Sequence, residues 1–144
     1  MISTNKLSDS ERDDVKILLK REKLCFNDVS DPGVHLFEVK NKDDVVGYFG
    51  IEQFENKALF RSMVVKPAVR SKGYGSLIWQ QARLKLKENK VEEVYLLTNT
   101  AASFFLKQGF VQIPRNSVPD AIAATTEFME FCPEDSVCMK INLK

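Results

Sequence analysis

Cysteine is scarce and histidine almost absent: Cys25, Cys132, Cys138 and His35 are the whole complement. An odd number of cysteines with no C-x-x-C pair argues against a disulfide framework and against a structural zinc site, and no metal is expected. The one imidazole lies in a β-like run, so His35 reads as a half-exposed strand residue rather than a catalyst. Neither sign of charge is in excess, with 21 basic and 20 acidic side chains and a net charge of +1, which leaves no footprint for nucleic acid. No run approaches the ~18 apolar residues of a membrane span, and Met1–Lys6 has no apolar core of a signal peptide. The cytoplasm is the expected compartment, with no membrane partner. Six glycines and five prolines are too few for linkers, and there is no repeat or low-complexity tract. The 144 residues are therefore expected to form a single domain, 1–144, large enough for a core without staples.

What is present is organised around Phe60–Gln81, FRSMVVKPAVRSKGYGSLIWQQ. Met63, Val64 and Val65 make an apolar run of strand length, halted by Pro67, which has no N–H to continue a ladder. Arg70, Ser71, Lys72, Gly73, Tyr74, Gly75 and Ser76 follow, and Ile78, Ala82 and Leu86 then recur at helical spacing. Strand, glycine loop and helix in that order suit an anion. The first helical turn offers unpaired N–H groups and a partial positive charge, Gly73 and Gly75 remove side chains where a phosphate would sit, and Arg70 and Lys72 add formal charge. Neither the G-x-x-x-x-G-K-[ST] nor the G-x-G-x-x-G pattern occurs; the spacing here is R-x-x-G-x-G.

Along the chain, Ile2–Lys6 reads as an edge strand. Ser8 with Glu11 is a capping box for a helix from about Asp9 to Arg21 that buries Val15, Leu18 and Leu19. Glu22–Asp31 is less readable, with Leu24–Phe26 a candidate second helix. Strands are expected over Val34–Val39, Val45–Phe54 and Ala58–Val65, with turns at Asn41–Asp44 and Glu55–Lys57; Gly47 and Gly50 suggest a bulge or a close approach of backbone or ligand. A helix over 71–89 and a strand over Val91–Leu97 imply a crossover and a parallel pair. A short helix over Ala101–Gln108, a strand at Phe110–Val111, a helix from Val118 to about Phe131 and a strand over Ser136–Leu143 complete the chain. The fold class is α/β or α+β, a central mixed sheet with helices on both faces.

The signature Met63-Val64-Val65-x-Pro67 with Arg70-x-x-Gly73-x-Gly75 resembles the acetyl-CoA site of the GCN5-related N-acetyltransferases. Ala101–Phe110, AASFFLKQGF, is similar to the family's A-x-x-F-Y-x-x-x-G-F. The resemblance covers roughly residues 44 to 143. Within the family it looks closest to the arsenic-resistance N-acetyltransferase branch, through Leu96-Leu97-Thr98, Thr100-Ala101-Ala102, Ile122, Thr125, Glu127-Phe128 and the Cys132–Met139 stretch.

The resemblance implies a GNAT-like acyl-CoA N-acyltransferase fold and acetyl-CoA as co-substrate. It lays the pantetheine arm along the backbone of Met63, Val64 and Val65 and the pyrophosphate on Arg70–Ser76. It gives the Val64 amide the oxyanion, and puts Asn99 and Phe104 at the far arm and thiol end. An amine acceptor must lose a proton before attack, and Glu52, on the strand before the central one, is the candidate base through water; a solvated strand glutamate is the alternative. Where many members carry a tyrosine that protonates the departing thiolate, this chain has Phe105, so water, the ammonium itself or Ser103 must serve. The implied activity is acetyl transfer from acetyl-CoA to a primary amine of a small molecule such as an amino-acid analogue, by a monomer or homodimer. A protein or peptide N-acetyltransferase and a non-catalytic acyl-CoA-binding regulatory domain are the competing functions. Soft thiolates at Cys132 and Cys138 also raise trivalent-arsenic capture, against which stands the mid-strand place of Cys138.

Overall fold

The computed structural model describes residues 2–8, 11–21, 33–70, 72–98, 101–125, 128 and 136–143. A first strand, β1 (Ile2–Lys6), leads into helix α1 (Arg12–Arg21). Its capping box forms as expected on one side: the Ser8 N–H and hydroxyl both donate to Glu11 Oε1, at 2.9 and 2.7 Å. The expected helix start at Asp9 and the candidate helix at Leu24–Phe26 lie outside the described residues. Three antiparallel strands follow, β2 (His35–Asn41), β3 (Asp44–Phe54) and β4 (Lys57–Val65). They are joined by tight turns in which Lys42 and Glu55 take the left-handed conformation, φ 59° and 58°.

Pro67–Val69 makes one 3-10 turn, and helix α2 (Tyr74–Glu88) begins after Gly73. Strand β5 (Glu93–Thr98), helix α3 (Ala102–Lys107), the two-residue β6 (Val111–Gln112), helix α4 (Asp120–Ala123) and β7 (Val137–Asn142) complete the order. The helix expected to run from Val118 to Phe131 is described only as α4. The Thr125 hydroxyl donates to the Ile122 carbonyl at 2.7 Å at its end, and most of the remaining span lies outside the described residues.

The seven strands form one sheet in the order β1-β2-β3-β4-β5-β7-β6. β4 and β5 are parallel, joined by the expected α2 crossover, and the other described neighbours are antiparallel. Side chains alternate across it. One face meets α2 and α3 in a cluster where Trp79 lies edge-on to Phe60 at 5.2 Å and against Phe110 at 4.9 Å. Each such ring contributes about 1.5–3 kcal/mol by leaving water.

The opposite face carries two separate clusters. Under α1, Val15 and Leu19 pack on Leu36, Tyr48 and Val64. Near α4, Ile122 joins Leu59, Tyr95, Leu97 and Cys138. The period of two expected for β7 is met: Met139, Ile141 and Leu143 enter the α2 cluster while Cys138 enters the other face. Gly47 is where two layers touch, since a Cβ there would lie 2.3 Å from the Val64 carbonyl oxygen and 2.5 Å from Ile78 Cδ1.

Candidate active site

The sheet splits between β4 and β5. Their parallel ladder holds only Lys57↔Glu93, Ala58↔Val94 and Leu59↔Tyr95. β5 goes on beside β7 as far as Thr98↔Val137, so beyond Leu59 the two central strands diverge. Phe60–Val65 has no strand on its β5 side among the described residues. A strand edge with no neighbouring strand is a place for an extended, amide-bearing ligand.

The register decides which amides face the split. Lys66 N–H donates to Val46 O at 2.8 Å, and Val64 pairs with Tyr48 and Val65 with Gly47. Alternation in an antiparallel ladder therefore turns the backbone of Val64 and Lys66 toward β3 and that of Val65 away from it. The Val65 carbonyl accordingly accepts from Arg70 Nε at 3.1 Å. The sequence-based choice of the Val64 amide for the oxyanion is corrected here: that N–H belongs to the β3 ladder, and its side chain is buried under α1.

Between Tyr48↔Val64 and Gly50↔Arg61, β4 places two residues, Ser62 and Met63, opposite Phe49 alone. This is a β-bulge, with Ser62 left-handed at φ 57°. It lifts the Met63 amide out of the β3 ladder.

At the open end of the split lies the glycine loop. Gly73 caps α2 with φ 81° and ψ 11° and with no side-chain cap bond, leaving the amides of Tyr74, Gly75 and Ser76 as first-turn donors. Lys72 and Gly73 are exposed and Tyr74–Ser76 half-buried. The loop is tied down from outside: Asn41 Nδ2 donates to Tyr74 Oη at 3.1 Å, and Gln108 Nε2 to Ser76 Oγ at 3.1 Å. Phe104 and Met63 converge on it, for a Cβ on Gly75 would stand 3.2 Å from Phe104 Cε1 and 3.6 Å from Met63 Cε. Met63, Gly75 and Phe104 are thus brought together. Ser71 and Asn99 lie outside the described residues.

The two remaining candidates fare differently. Ser103 is exposed on the same side of α3 as Leu106 and Lys107, while Phe105, two residues on, is buried against Phe60 and Phe110. Glu52 is on the face opposite α2, in the strip between the two apolar clusters, and only 9% exposed. It is no solvated strand glutamate: Arg61 Nη1 donates to its Oε1 at 2.7 Å, and Arg61 Nε to Ser62 Oγ at 3.2 Å. Arg61 and Ser62 carried no role in the sequence reading. The available signal was a charged residue inside the apolar run of a central strand.

His35 is half-buried on β2, its pKa lowered by burial and then by the charges of Lys6 and Arg12. Cys138 is buried, and its thiol is pushed up to about 11 by burial, the opposite of what a soft-ion ligand needs. Cys132 lies outside the described residues. Among the described residues no group of acidic, histidine and cysteine side chains could hold a metal ion, and no helix is long and apolar enough to cross a membrane.

Known proteins supply independent comparisons. Among solved structures, the fold is similar to N-acetylglutamate synthase from Neisseria gonorrhoeae complexed with coenzyme A and L-arginine, with TM-score 0.79 and 11% identity over 98% of this chain. The chain spans about a third of that synthase, 33% of its length. An acetyltransferase of the GNAT family from Staphylococcus aureus matches with TM-score 0.76 and 18% identity, covering 100% of both chains. An uncharacterized N-acetyltransferase of Chlorobaculum tepidum is 31% identical over 108 residues, 74% of this chain and 67% of the relative. The family model described as acetyltransferase (GNAT) domain matches residues 32–112, more than half of the chain and the whole run from β2 through the glycine loop to β6. A family model over that span and a relative of that identity show that the chain belongs to the GNAT acetyltransferase family.

Proposed function

We propose that this protein is an acetyl-CoA-dependent N-acetyltransferase that acetylates the primary amine of a small molecule, of the size of an amino-acid analogue, by direct attack of the amine on the thioester. The observation that carries the reading is the divergence of β4 from β5 beyond Leu59, which opens a strand edge leading to the head of α2. Bound acetyl-CoA supplies the activated acetyl group. The Val65 amide pairs with the pantetheine arm, the Met63 amide stabilises charge developing on the thioester oxygen, and the α2 first turn with Arg70 and Lys72 takes the pyrophosphate. Phe104 packs against the thiol end.

No proton donor stands at Phe105. A thiol with an ordinary pKa of about 8.5 leaves tolerably well as the thiolate near neutrality, so water or the ammonium of the tetrahedral intermediate, formed when the neutral amine adds to the thioester, suffices as its proton source. The Neisseria N-acetylglutamate synthase of the same fold, complexed with coenzyme A and N-acetyl-glutamate, supports an acceptor of amino-acid size.

Titration calorimetry with acetyl-CoA, then thiol release across a panel of primary amines and amine-bearing peptides, tests the reading. Binding followed by CoA release that depends on a small amine is the expected result. Binding without acceptor-dependent release overturns it in favour of a regulatory acyl-CoA-binding domain, and release with peptides alone makes the protein a peptide acetylase.

A further inference from the structure

We infer that Glu52, Arg61 and Ser62 form a clamp that fixes the β4 bulge and aims the Met63 amide, so that Glu52 is a positioning residue for acetyl transfer and not its base. The inference rests on the acetyltransferase reading above and assigns a role to a side-chain cluster that reading does not need.

The bulge places Ser62 at φ 57°, a conformation that L side chains other than asparagine and aspartate rarely hold unaided. Arg61 ties it to β3. Its Nε donates to Ser62 Oγ at 3.2 Å, and its Nη1 reaches diagonally across the ladder to Glu52 Oε1 at 2.7 Å on β3. Gly50, directly opposite Arg61, makes this path possible: a Cβ there would lie 3.3 Å from Arg61 Cγ and 3.0 Å from Leu36 Cδ2. The Arg61 side chain is 0% exposed and that of Glu52 11%. A buried ion pair is a poor source of stability, because desolvating both charges cancels most of their attraction. Its use is geometric, and the geometry it controls is that of the residue preceding the Met63 amide. Oε1 of Glu52 is already engaged by the Arg61 guanidinium.

The test compares wild type with Glu52→Gln, Glu52→Ala and the double variant Glu52→Leu, Arg61→Met. The double variant removes both charges together and so keeps the fold even if Glu52→Ala, with its unpaired guanidinium, does not. The readouts are calorimetric affinity for acetyl-CoA and the infrared carbonyl band of bound acetyl-CoA carrying ¹³C at the carbonyl. To these are added kcat, KM and the pH–rate profile with the amine that the panel identifies.

Glutamine still accepts from Arg61, so Glu52→Gln keeps the wild-type displacement of the band, a kcat within about threefold and an unchanged pH profile. The double variant binds acetyl-CoA within about threefold of wild type. Its band returns toward the free-ligand position and its kcat falls about 10²-fold, the size expected for a misaimed oxyanion donor. A folded double variant with the wild-type band and rate overturns the clamp, as does a 10²-fold loss in Glu52→Gln together with loss of the acidic limb of the pH profile, which makes Glu52 the base. Wild type that binds no acetyl-CoA overturns the acetyltransferase reading itself, a result distinct from either.

Discussion

Gly73 holds φ 81° at the head of α2, and a Cβ there would meet nothing within 4 Å. The site is therefore constrained by conformation and by its ligand, not by protein bulk, and two substitutions separate these causes. Gly73→Ala pays only for the left-handed backbone, roughly 1–2 kcal/mol, and should lower the chemical-denaturation midpoint while leaving acetyl-CoA bound. Gly73→Glu adds a negative side chain where the pyrophosphate is expected. It should show no acetyl-CoA binding heat in calorimetry while its circular dichroism matches that of Gly73→Ala; retained affinity would count against the glycine loop as the phosphate site. At the other candidate position, Ser103 stands exposed on α3. Ser103→Ala should keep kcat within about threefold, well short of the 10²-fold that a general acid typically supplies. A steady-state assay showing a 10²-fold fall would restore it to the mechanism.

Individual elements meet tolerances that no single residue reveals. α2 lies on β3 at Gly47, where a Cβ would come within 2.3 Å of the Val64 carbonyl oxygen. Gly47→Ala must push β4 or α2 away, and overpacking of this kind typically costs about 1–3 kcal/mol. Because both the split and the head of α2 depend on that spacing, acetyl-CoA affinity should fall together with stability. Thermal unfolding and calorimetry on the same variant check it; lost stability with unchanged affinity would mean that the split tolerates movement of α2. The periodicity of these elements was visible in the residues: three antiparallel strands, a crossover helix, and a last strand with Val137, Met139, Ile141 and Leu143 on one side. Gly47 and Gly50 flagged a bulge or close approach, and the register shift lies between Tyr48 and Gly50. What spacing could not give was its partner on β4, since a bulge is a mismatch between two strands and neither shows it alone.

For the molecule as a whole, the alkaline limit of stability follows from two buried groups on the α4 face. Burial pushes the Cys138 thiol up to about 11. The Tyr95 hydroxyl is likewise raised by burial and by its 2.6 Å hydrogen bond to Glu93 Oε1. Both stay protonated in the folded state at a pH where the unfolded chain releases the proton. Stability is then fully present below the unfolded thiol pKa of about 8.5 and declines as pH rises toward 11. Denaturant midpoints measured from pH 7.5 to 11 should fall across that window, and Cys138→Ala, after its own constant loss, should show a shallower fall. A wild-type midpoint that is flat to pH 11 would contradict the buried placement of both groups.

The residues alone determined the family, the mixed sheet and the place of the glycine loop, because these depend on local quantities: apolar period, turn chemistry and the spacing R-x-x-G-x-G. Only the tertiary structure decided which amide faces the split and what holds it there. The Val64 and Met63 amides are neighbours in sequence, and their opposite directions are set by the pairing with β3. Likewise Glu52 and Arg61 are 9 residues apart in the chain. They meet because the hairpin register sets them on one face of the sheet, where two burial costs are offset by one short bond.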